Sequence, residues 1–324
     1  MKKEDLRLVF MGTPEFAVET LRRIVEGGYK VAAVVTQPDK PVGRHGSVAQ
    51  QPPVKQYALS VGIPVLQPER LKDPAFVERL RRCGANLHVV VAFRMLPEVV
   101  WAMPEYGTFN VHASLLPQYR GAAPINWAVI NGETQTGVTT FFLDRNMDTG
   151  NILERRTFDI PDSADAEYVH DGLMHLGAEI ALSTLEKIAA ADGHPATVAQ
   201  DGVATAELHP APKLFKENCR IDWGMTAKQV YDFVRGLSPS PGAWTTLTDT
   251  GGRETALKVY SAAKTGTAAG GVPPGTITAD RKSLHVACAD ELLRVESLQL
   301  AGKKRMDTQT FLNGMKDMEK YSAR

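Results

Sequence analysis

The stretch "NLHVVVAF", residues 86–93, is apolar at almost every position and carries three valines in a row. A run this short, without regular polar alternation, marks a strand covered on both faces, as strands of a parallel sheet are. Similar runs lie to either side: "LRLVF" (6–10), "KVAAVVT" (30–36), "TFNVHA" (108–113) and "GVTTFFL" (137–143). Helical patterns fill the intervals at about 14–27, 52–61, 73–83 and 124–131. The rhythm predicts an α/β fold of crossover units around a mostly parallel, doubly covered sheet. A further strand at 151–160 leads into a long helix that opens near Asp162 or Ser163 and ends before Gly193. Its Val169, Leu173, Leu176 and Ile180 form one apolar stripe at helical spacing, so it covers a sheet face.

Around residue 190 the texture changes. Residues 190–212, "AADGHPATVAQDGVATAELHPAP", are rich in Ala, Gly, Pro and Thr and lack helical periodicity, which predicts a linker. Beyond it come one helix pattern at about 225–237 and the short runs "AWTTLTD", "TALKVYSA", "SLHVACA" and "LLRVESLQ", separated by turn residues. Such spacing predicts a small antiparallel barrel. The expected organisation is therefore a domain over 1–189, a linker over 190–212 and a second domain over 213–324. A length of 324 residues fits two domains better than one.

Composition excludes several classes. Apolar residues make up 43% and charged residues 23% of the chain, ordinary values for a globular protein. The N-terminal apolar run is too short for a signal peptide, and no segment approaches the length of a membrane span. A cytoplasmic protein with no membrane association is expected. Cys83, Cys219 and Cys288 are few, scattered and odd in number, which argues against a disulfide framework or a zinc-ligand pair. The formal charge is zero but unevenly spread, with 17 basic against 13 acidic residues from Glu207 onward. That surplus suits a polyanion partner and a solvated face about equally.

In a parallel sheet ligands bind where loops leave the strands. The first strand leads into "MGTPEF" (11–16), whose single glycine does not make a dinucleotide fingerprint. The run "VVVAFRMLP" (89–97) enters a short loop stopped by Pro97, able to line a pocket for a flat ring. In "NVHASLLPQYRG" (110–121), Asn110 and His112 share one face of a strand while Phe109 and Val111 take the other. Two polar groups so placed need either a hydrogen-bonded structural network or a substrate. The loop "DRNMDTGNIL" (144–153) adds Asp148, which is either part of a common turn or a carboxylate able to orient a neighbouring histidine. Together an amide, an imidazole and a carboxylate suit acyl or formyl transfer, because they supply an oxyanion donor, a proton relay and an orienting charge.

The region "NVHASLLPQYRGAAPINWAVINGETQTGVTTFFLDRNMDTGNIL" (110–153) resembles the signature of the formyltransferases that use 10-formyltetrahydrofolate. "FMGTPEFAV" (10–18), "TQPDKPVGR" (36–44), "PPVKQYA" (52–58), "RIDWGMTAKQV" (220–230) and "LQLAGKKRM" (298–306) resemble the branch of that family that formylates methionyl-tRNA. The resemblance implies a Rossmann-like formyltransferase domain followed by an OB-like barrel that helps hold initiator methionyl-tRNA. It implies catalytic roles for Asn110, His112 and Asp148, and folate contacts from Ser114, Leu115, Leu116 and Pro117. Pteridine contacts fall on Phe93, Arg94, Met95 and Leu96, in a loop about one residue shorter than is usual and with Arg94 in place of a common glycine. Lys40, Arg44, Lys303, Lys304 and Arg305 are the implied tRNA contacts, although the loop after Arg44 is less basic than is usual. The donor arrives already activated, so no metal is expected, and the chain is expected to act as a monomer. The same central motif occurs in UDP-amino-sugar N-formyltransferases, and a non-catalytic RNA-binding relative is the alternative outside enzymes.

Overall fold

The computed structural model of the chain describes residues 1–42, 48–202, 207–315 and 317–324. Two compact units divide it: Met1–Gly121, Gln135–Asp159 and His170–Pro210 form the first, and Ala122–Thr134, Ile160–Val169 and Ala211–Arg324 the second. Most of the stretch expected to be a linker, up to Pro210, thus belongs to the first unit.

In chain order the elements are β1 (Arg7–Gly12), α1 (Glu15–Glu26), β2 (Lys30–Val35), β3 (Lys40–Val42), β4 (Val48–Gln50), α2 (Pro53–Ser60), β5 (Val65–Leu66), α3 (Pro74–Arg82), β6 (Leu87–Val91), α4 (Glu98–Trp101) and β7 (Thr108–His112). There follow α5 (Pro124–Ile130), β8 (Gln135–Phe142), β9 (Ile152–Asp159) and α6 (Ala166–Ala190). The first unit's main sheet has the order β5-β2-β1-β6-β7-β8-β9. Its neighbours are parallel from β5 to β7 and antiparallel from β7 to β9. Both faces are covered, since Leu8 and Phe10 are as deeply buried as Val9 and Met11 on β1. On one face Val9, Met11, Val35, Phe76, Leu80, Val90 and Val100 pack into a single core. Helix α3 starts where it does because Asp73 accepts the Ala75 N–H at 2.9 Å and Pro74 occupies the first turn. Along α6, Val169, Leu173 and Ile180 of the predicted stripe are fully buried, and Leu176 is half-buried. β3 and β4 pair antiparallel outside the main sheet, too briefly to be seen in the apolar pattern.

The second unit adds α7 (Ala227–Gly236), β10 (Ala243–Asp249), β11 (Glu254–Ala268), β12 (Ile277–Ala279), β13 (Leu284–Ala287), β14 (Glu291–Leu300), β15 (Met306–Asp307), α8 (Thr308–Gly314) and β16 (Tyr321–Ala323). Its sheet runs β12-β13-β14-β11-β10-β16, with every pair antiparallel. A bridge from Thr276 to Ser322 brings its two edges together and nearly closes a barrel. The closure depends on Gly275, whose φ is 84° and whose Cβ, were there one, would lie 2.1 Å from the Ala323 carbonyl oxygen. Val230, Val234 and Leu237, spaced four and three apart, join Leu257, Val259, Val295 and Leu298 in the barrel's core. The three cysteines are free, and burial pushes the Cys288 thiol up to about 12.

His88 on β6 is 1% exposed, and its Nδ1 has no hydrogen-bond partner. Burial drives its pKa from 6.5 down to about 4, outweighing the Val100 backbone, which acts the other way. The folded chain therefore holds this ring neutral while the unfolded chain protonates it first. Stability from this source is intact above pH 6.5 and is lost as pH falls from 6.5 towards about 4, a total of about 3 kcal/mol. Urea unfolding of the wild type and of His88→Gln between pH 7.5 and 4 measures it: the wild type is expected to lose more stability than the variant by about that amount.

Candidate functional site

Strand β7 carries the polar pair. Phe109 and Val111 are buried, and Val111 lies against Gly177 of α6. Period-two alternation therefore turns Asn110 and His112 to the opposite face. In register, Asn110 stands beside Phe141 and His112 beside Thr139 of β8. The His112 ring is 6% exposed and packs edge-on against Phe141, 6.4 Å between centroids. Its Nε2 lies 3.0 Å from the Tyr119 carbonyl oxygen. A carbonyl can only accept, so Nε2 carries the proton and Nδ1 is the open nitrogen of the neutral ring. Asn110 is different. No protein hydrogen bond is recorded for its side-chain amide among the described residues, and its buried Oδ1 has no partner. A desolvated amide left so costs about 1–3 kcal/mol, which a bound ligand would recover. Of the two readings of the pair, this favours a substrate over a structural network.

The loop after β7 is tightly built. The Ser114 hydroxyl donates to the Gln118 carbonyl at 2.6 Å. The Thr139 hydroxyl donates to the Ser114 carbonyl at 2.7 Å and accepts the Leu116 N–H at 3.1 Å. Leu116 and Pro117 are buried and joined by a cis peptide bond, whereas Leu115 is half-buried. The backbone N–H of Gly121 donates to Asp148 Oδ2 at 3.0 Å. By residue type, Asp148 could orient a histidine directly. The structure records no hydrogen bond or ion pair between Asp148 and His112; each is tied instead to the loop, one at Tyr119 and the other at Gly121.

Gln200, which sequence reasoning passed over, is 3% exposed and reaches this loop. Its Nε2 donates to the carbonyls of Asp148 and Gly150, at 2.9 and 2.8 Å. Its Oε1 accepts from Arg120 Nε and Nη2, at 3.0 and 2.6 Å. Nothing in an Ala-, Gly- and Thr-rich stretch singles out a glutamine that folds back in this way.

The residues expected to touch a pteridine are disposed unevenly. Leu96 is buried in the core of the first unit, Phe93 is half-buried and Met95 is 69% exposed. Arg94 turns back to donate to the carbonyls of Pro68 and Glu69, and its guanidinium lies 5.7 Å from the Phe93 ring. Burial lowers its pKa from the usual value. A cavity of about 400 Å³ lies beside the start of β7, lined by Trp101, Tyr106, Thr108, Phe142, Leu143 and His194, and none of Asn110, His112 and Asp148 is on its wall.

Of the expected tRNA contacts, Lys40 is exposed on β3, and Arg44 lies outside the described residues. The loop around Lys40 is fastened by Asp39, whose carboxylate meets Lys55 Nζ at 2.7 Å and Gln67 Nε2 at 2.7 Å. Those bonds hold its carboxyl below the usual range. In the second unit Lys303, Lys304 and Arg305 are exposed in the turn between β14 and β15. No ion pair is recorded for either lysine among the described residues. Arg305 sits 4.5 Å over the Tyr260 ring and donates to Ser297 Oγ at 2.9 Å. A second cation–aromatic group, not expected from the sequence, places Lys216 and Arg220 about Trp244, whose cross-strand neighbour is Lys258.

Among the described residues no three His, Cys, Asp or Glu side chains gather as a metal ion would need, and no helix is long and apolar enough to cross a membrane.

Residues 6–185 match the family described as formyl transferase, and residues 213–316 match the formyl transferase C-terminal domain. A curated protein of Parabacteroides distasonis, named methionyl-tRNA formyltransferase, is 59% identical over 325 residues covering 99% of both chains. One of the same name from Bacteroides thetaiotaomicron is 54% identical, again over 99% of both. The chain belongs to the methionyl-tRNA formyltransferase family. Two solved structures share the fold at low identity. HypX from Aquifex aeolicus with tetrahydrofolic acid has a TM-score of 0.62 at 19% identity, over 95% of this chain and 47% of its own. WlaRD, a sugar 3N-formyl transferase, has a TM-score of 0.62 at 14% identity, over 92% of this chain and 99% of its own.

In this member of the methionyl-tRNA formyltransferase family the turn bearing Asp148 presses against β8. A Cβ at Gly150 would lie 1.7 Å from the Phe142 carbonyl oxygen, a backbone atom that cannot swing aside. Gly150→Ala is expected to destabilise the chain by about 1–3 kcal/mol or more, read by urea unfolding. Unchanged stability would mean that the turn does not pack as described.

Proposed function

We propose that this chain transfers the formyl group of 10-formyltetrahydrofolate to the α-amine of methionine esterified to initiator tRNA, giving formylmethionyl-tRNA for translation initiation. The observation that carries the choice of acceptor is the 59% identity, end to end, with a protein named methionyl-tRNA formyltransferase. Folate as the donor is supported by the family match and by the tetrahydrofolic acid named with a structure of the same fold. The chemistry is assigned to residues 1–189 and the holding of tRNA to 213–324, with 190–212 between them. The chain is taken to work as a cytoplasmic monomer.

In the proposed reaction the amine nitrogen attacks the formyl carbon and the carbonyl electron pair moves onto oxygen. Collapse of the tetrahedral intermediate breaks the bond to N10, which leaves with a proton as the attacking nitrogen loses one. Asn110 is assigned the oxyanion, to which its Nδ2–H would donate, because no protein hydrogen bond is recorded for its side-chain amide among the described residues. His112 is assigned the proton relay through Nδ1, since Nε2 is engaged by Tyr119. Asp148 supplies negative charge beside the nitrogen that becomes cationic once the neutral amine has attacked, and accepts its proton through water. Ser114, Leu115, Leu116 and Pro117, with Phe93 to Leu96, are assigned the folate wall. Lys40, Arg44, Lys303, Lys304 and Arg305 are assigned tRNA phosphates, supported by the absence of any recorded ion pair at Lys303 and Lys304 among the described residues.

Purified protein given 10-formyltetrahydrofolate and, in parallel, methionyl-tRNA, glycinamide ribonucleotide or a UDP-amino sugar is expected to formylate only the tRNA. Formylation of the sugar alone, or release of formate without an acceptor, would overturn the reading. Asn110→Ala is expected to lower turnover by about 10²–10³ with folate binding retained; near-normal turnover would remove Asn110 from the mechanism. Lys303→Ala with Lys304→Ala is expected to reduce the slope of log affinity for tRNA against log salt by about one per lysine. An unchanged slope would remove both from the contact surface.

A further inference from the structure

Gln200 joins the two loops across which the Gly121–Asp148 hydrogen bond forms. On one side it binds Arg120, the residue before Gly121; on the other it binds the carbonyls of Asp148 and Gly150. Asp148 stands in the left-handed region, with φ of 55°, a conformation that costs energy for a non-glycine residue and persists only where its surroundings hold it. Among the described residues, the bonds recorded at the Asp148 and Gly150 carbonyls are those from Gln200, while within the turn Asp144 accepts from the Asn146 N–H and the Thr149 hydroxyl.

The chemistry of these four bonds singles out an amide. Two carbonyl oxygens require two N–H donors, and a guanidinium requires an acceptor. A glutamine, at this length, meets both demands with one planar group. Reversing the amide would set its oxygen against two carbonyls and its NH₂ against a guanidinium, so its orientation is fixed by its partners. Because the group is buried, each lost bond leaves a desolvated partner unsatisfied.

We propose that Gln200 is a positioning residue for the formyl-transfer step: it holds the Asp148 turn and the Arg120–Gly121 segment in the one arrangement that presents the Asp148 carboxylate. The proposal rests on the catalytic reading of Asp148 given above. Gln200→Glu tests it with almost no change in volume, since the carboxylate keeps the acceptors for Arg120 and removes both donors to the turn. Misplacement of a reacting group by about 1 Å costs up to about 10² in rate, so kcat at saturating substrates is expected to fall by about 10–100-fold. KM for 10-formyltetrahydrofolate and for methionyl-tRNA is expected to stay within about threefold, because no substrate contact is removed. A raised KM with kcat unchanged would make Gln200 a binding residue and overturn the proposal, as would wild-type values of both.

Arg120→Met cuts the other side of the same link and is expected to lower kcat in the same way. The double variant is expected to fall no further than the worse single one, since both break one connection. If Gln200→Glu does not fold, the decision passes to Arg120→Met, for which an unchanged kcat overturns the proposal. Asp148→Asn separates the two levels of inference. If it retains full turnover, the site assignment itself fails; if it is inactive while Gln200→Glu is fully active, only the role of Gln200 fails.

Discussion

Two backbone atoms of one short loop, the Tyr119 carbonyl and the Gly121 N–H, hold the His112 ring and the Asp148 carboxylate. The geometry of the candidate site depends on that loop keeping its shape. It does so because several segments distant in sequence are spent on it. Thr139 fastens its start through the backbone of Ser114 and Leu116. Further along, the Gln118 amide donates to the Glu207 carbonyl and accepts the His209 N–H, and the Tyr119 N–H donates to the His209 carbonyl. Gln200 completes the set through Arg120. Those of Thr139 and Gln200 lie between buried or half-buried groups, where each unmade bond carries the cost of desolvation, whereas Glu207 and His209 are exposed. The loop is therefore held by several bonds at once.

Underneath, β7 supplies a rigid base. A strand flanked by β6 and β8, with Phe109 and Val111 sealed on one face, cannot shift register by one residue without exchanging them for Asn110 and His112. The apolar residues thus decide where the polar ones point. With Nε2 of His112 already donating, and no protein hydrogen bond recorded for the Asn110 amide among the described residues, β7 carries one ring nitrogen outside that bond and one amide without a recorded partner. That pairing suits a reaction in which negative charge builds on an oxygen while a proton changes place.

In the second unit the constraint is closure. Left open, this seven-stranded sheet would present edges of unpaired backbone groups. Gly275 removes that liability by allowing the chain to approach Ala323 within a distance no side chain would permit. The barrel surface carries cations stacked on aromatic rings, Arg305 on Tyr260 and Arg220 with Lys216 about Trp244. Stacking holds these charges at fixed places on the surface.

The apolar rhythm of the sequence sufficed for the main sheet, the long helix and the barrel strands, because burial on both faces or at helical spacing leaves a periodic trace in composition. It sufficed too for the shared face of Asn110 and His112, which follows from the pleat alone. Elements of two or three residues, such as β5, β12 and β16, left no such trace, since their pairing is set by neighbours rather than by their own residues. The same holds at the site. Residue types allow direct orientation of His112 by Asp148, yet no bond between the two is recorded, and each is tied to the same loop. Gln200 was illegible because its environment is made by backbone carbonyls 50 and 52 residues away, and carbonyls look alike in every sequence. Residue type and spacing determined which side chains could do the chemistry; only the tertiary structure, through hydrogen bonds to backbone atoms far along the chain, decided which of them are held in place and by what.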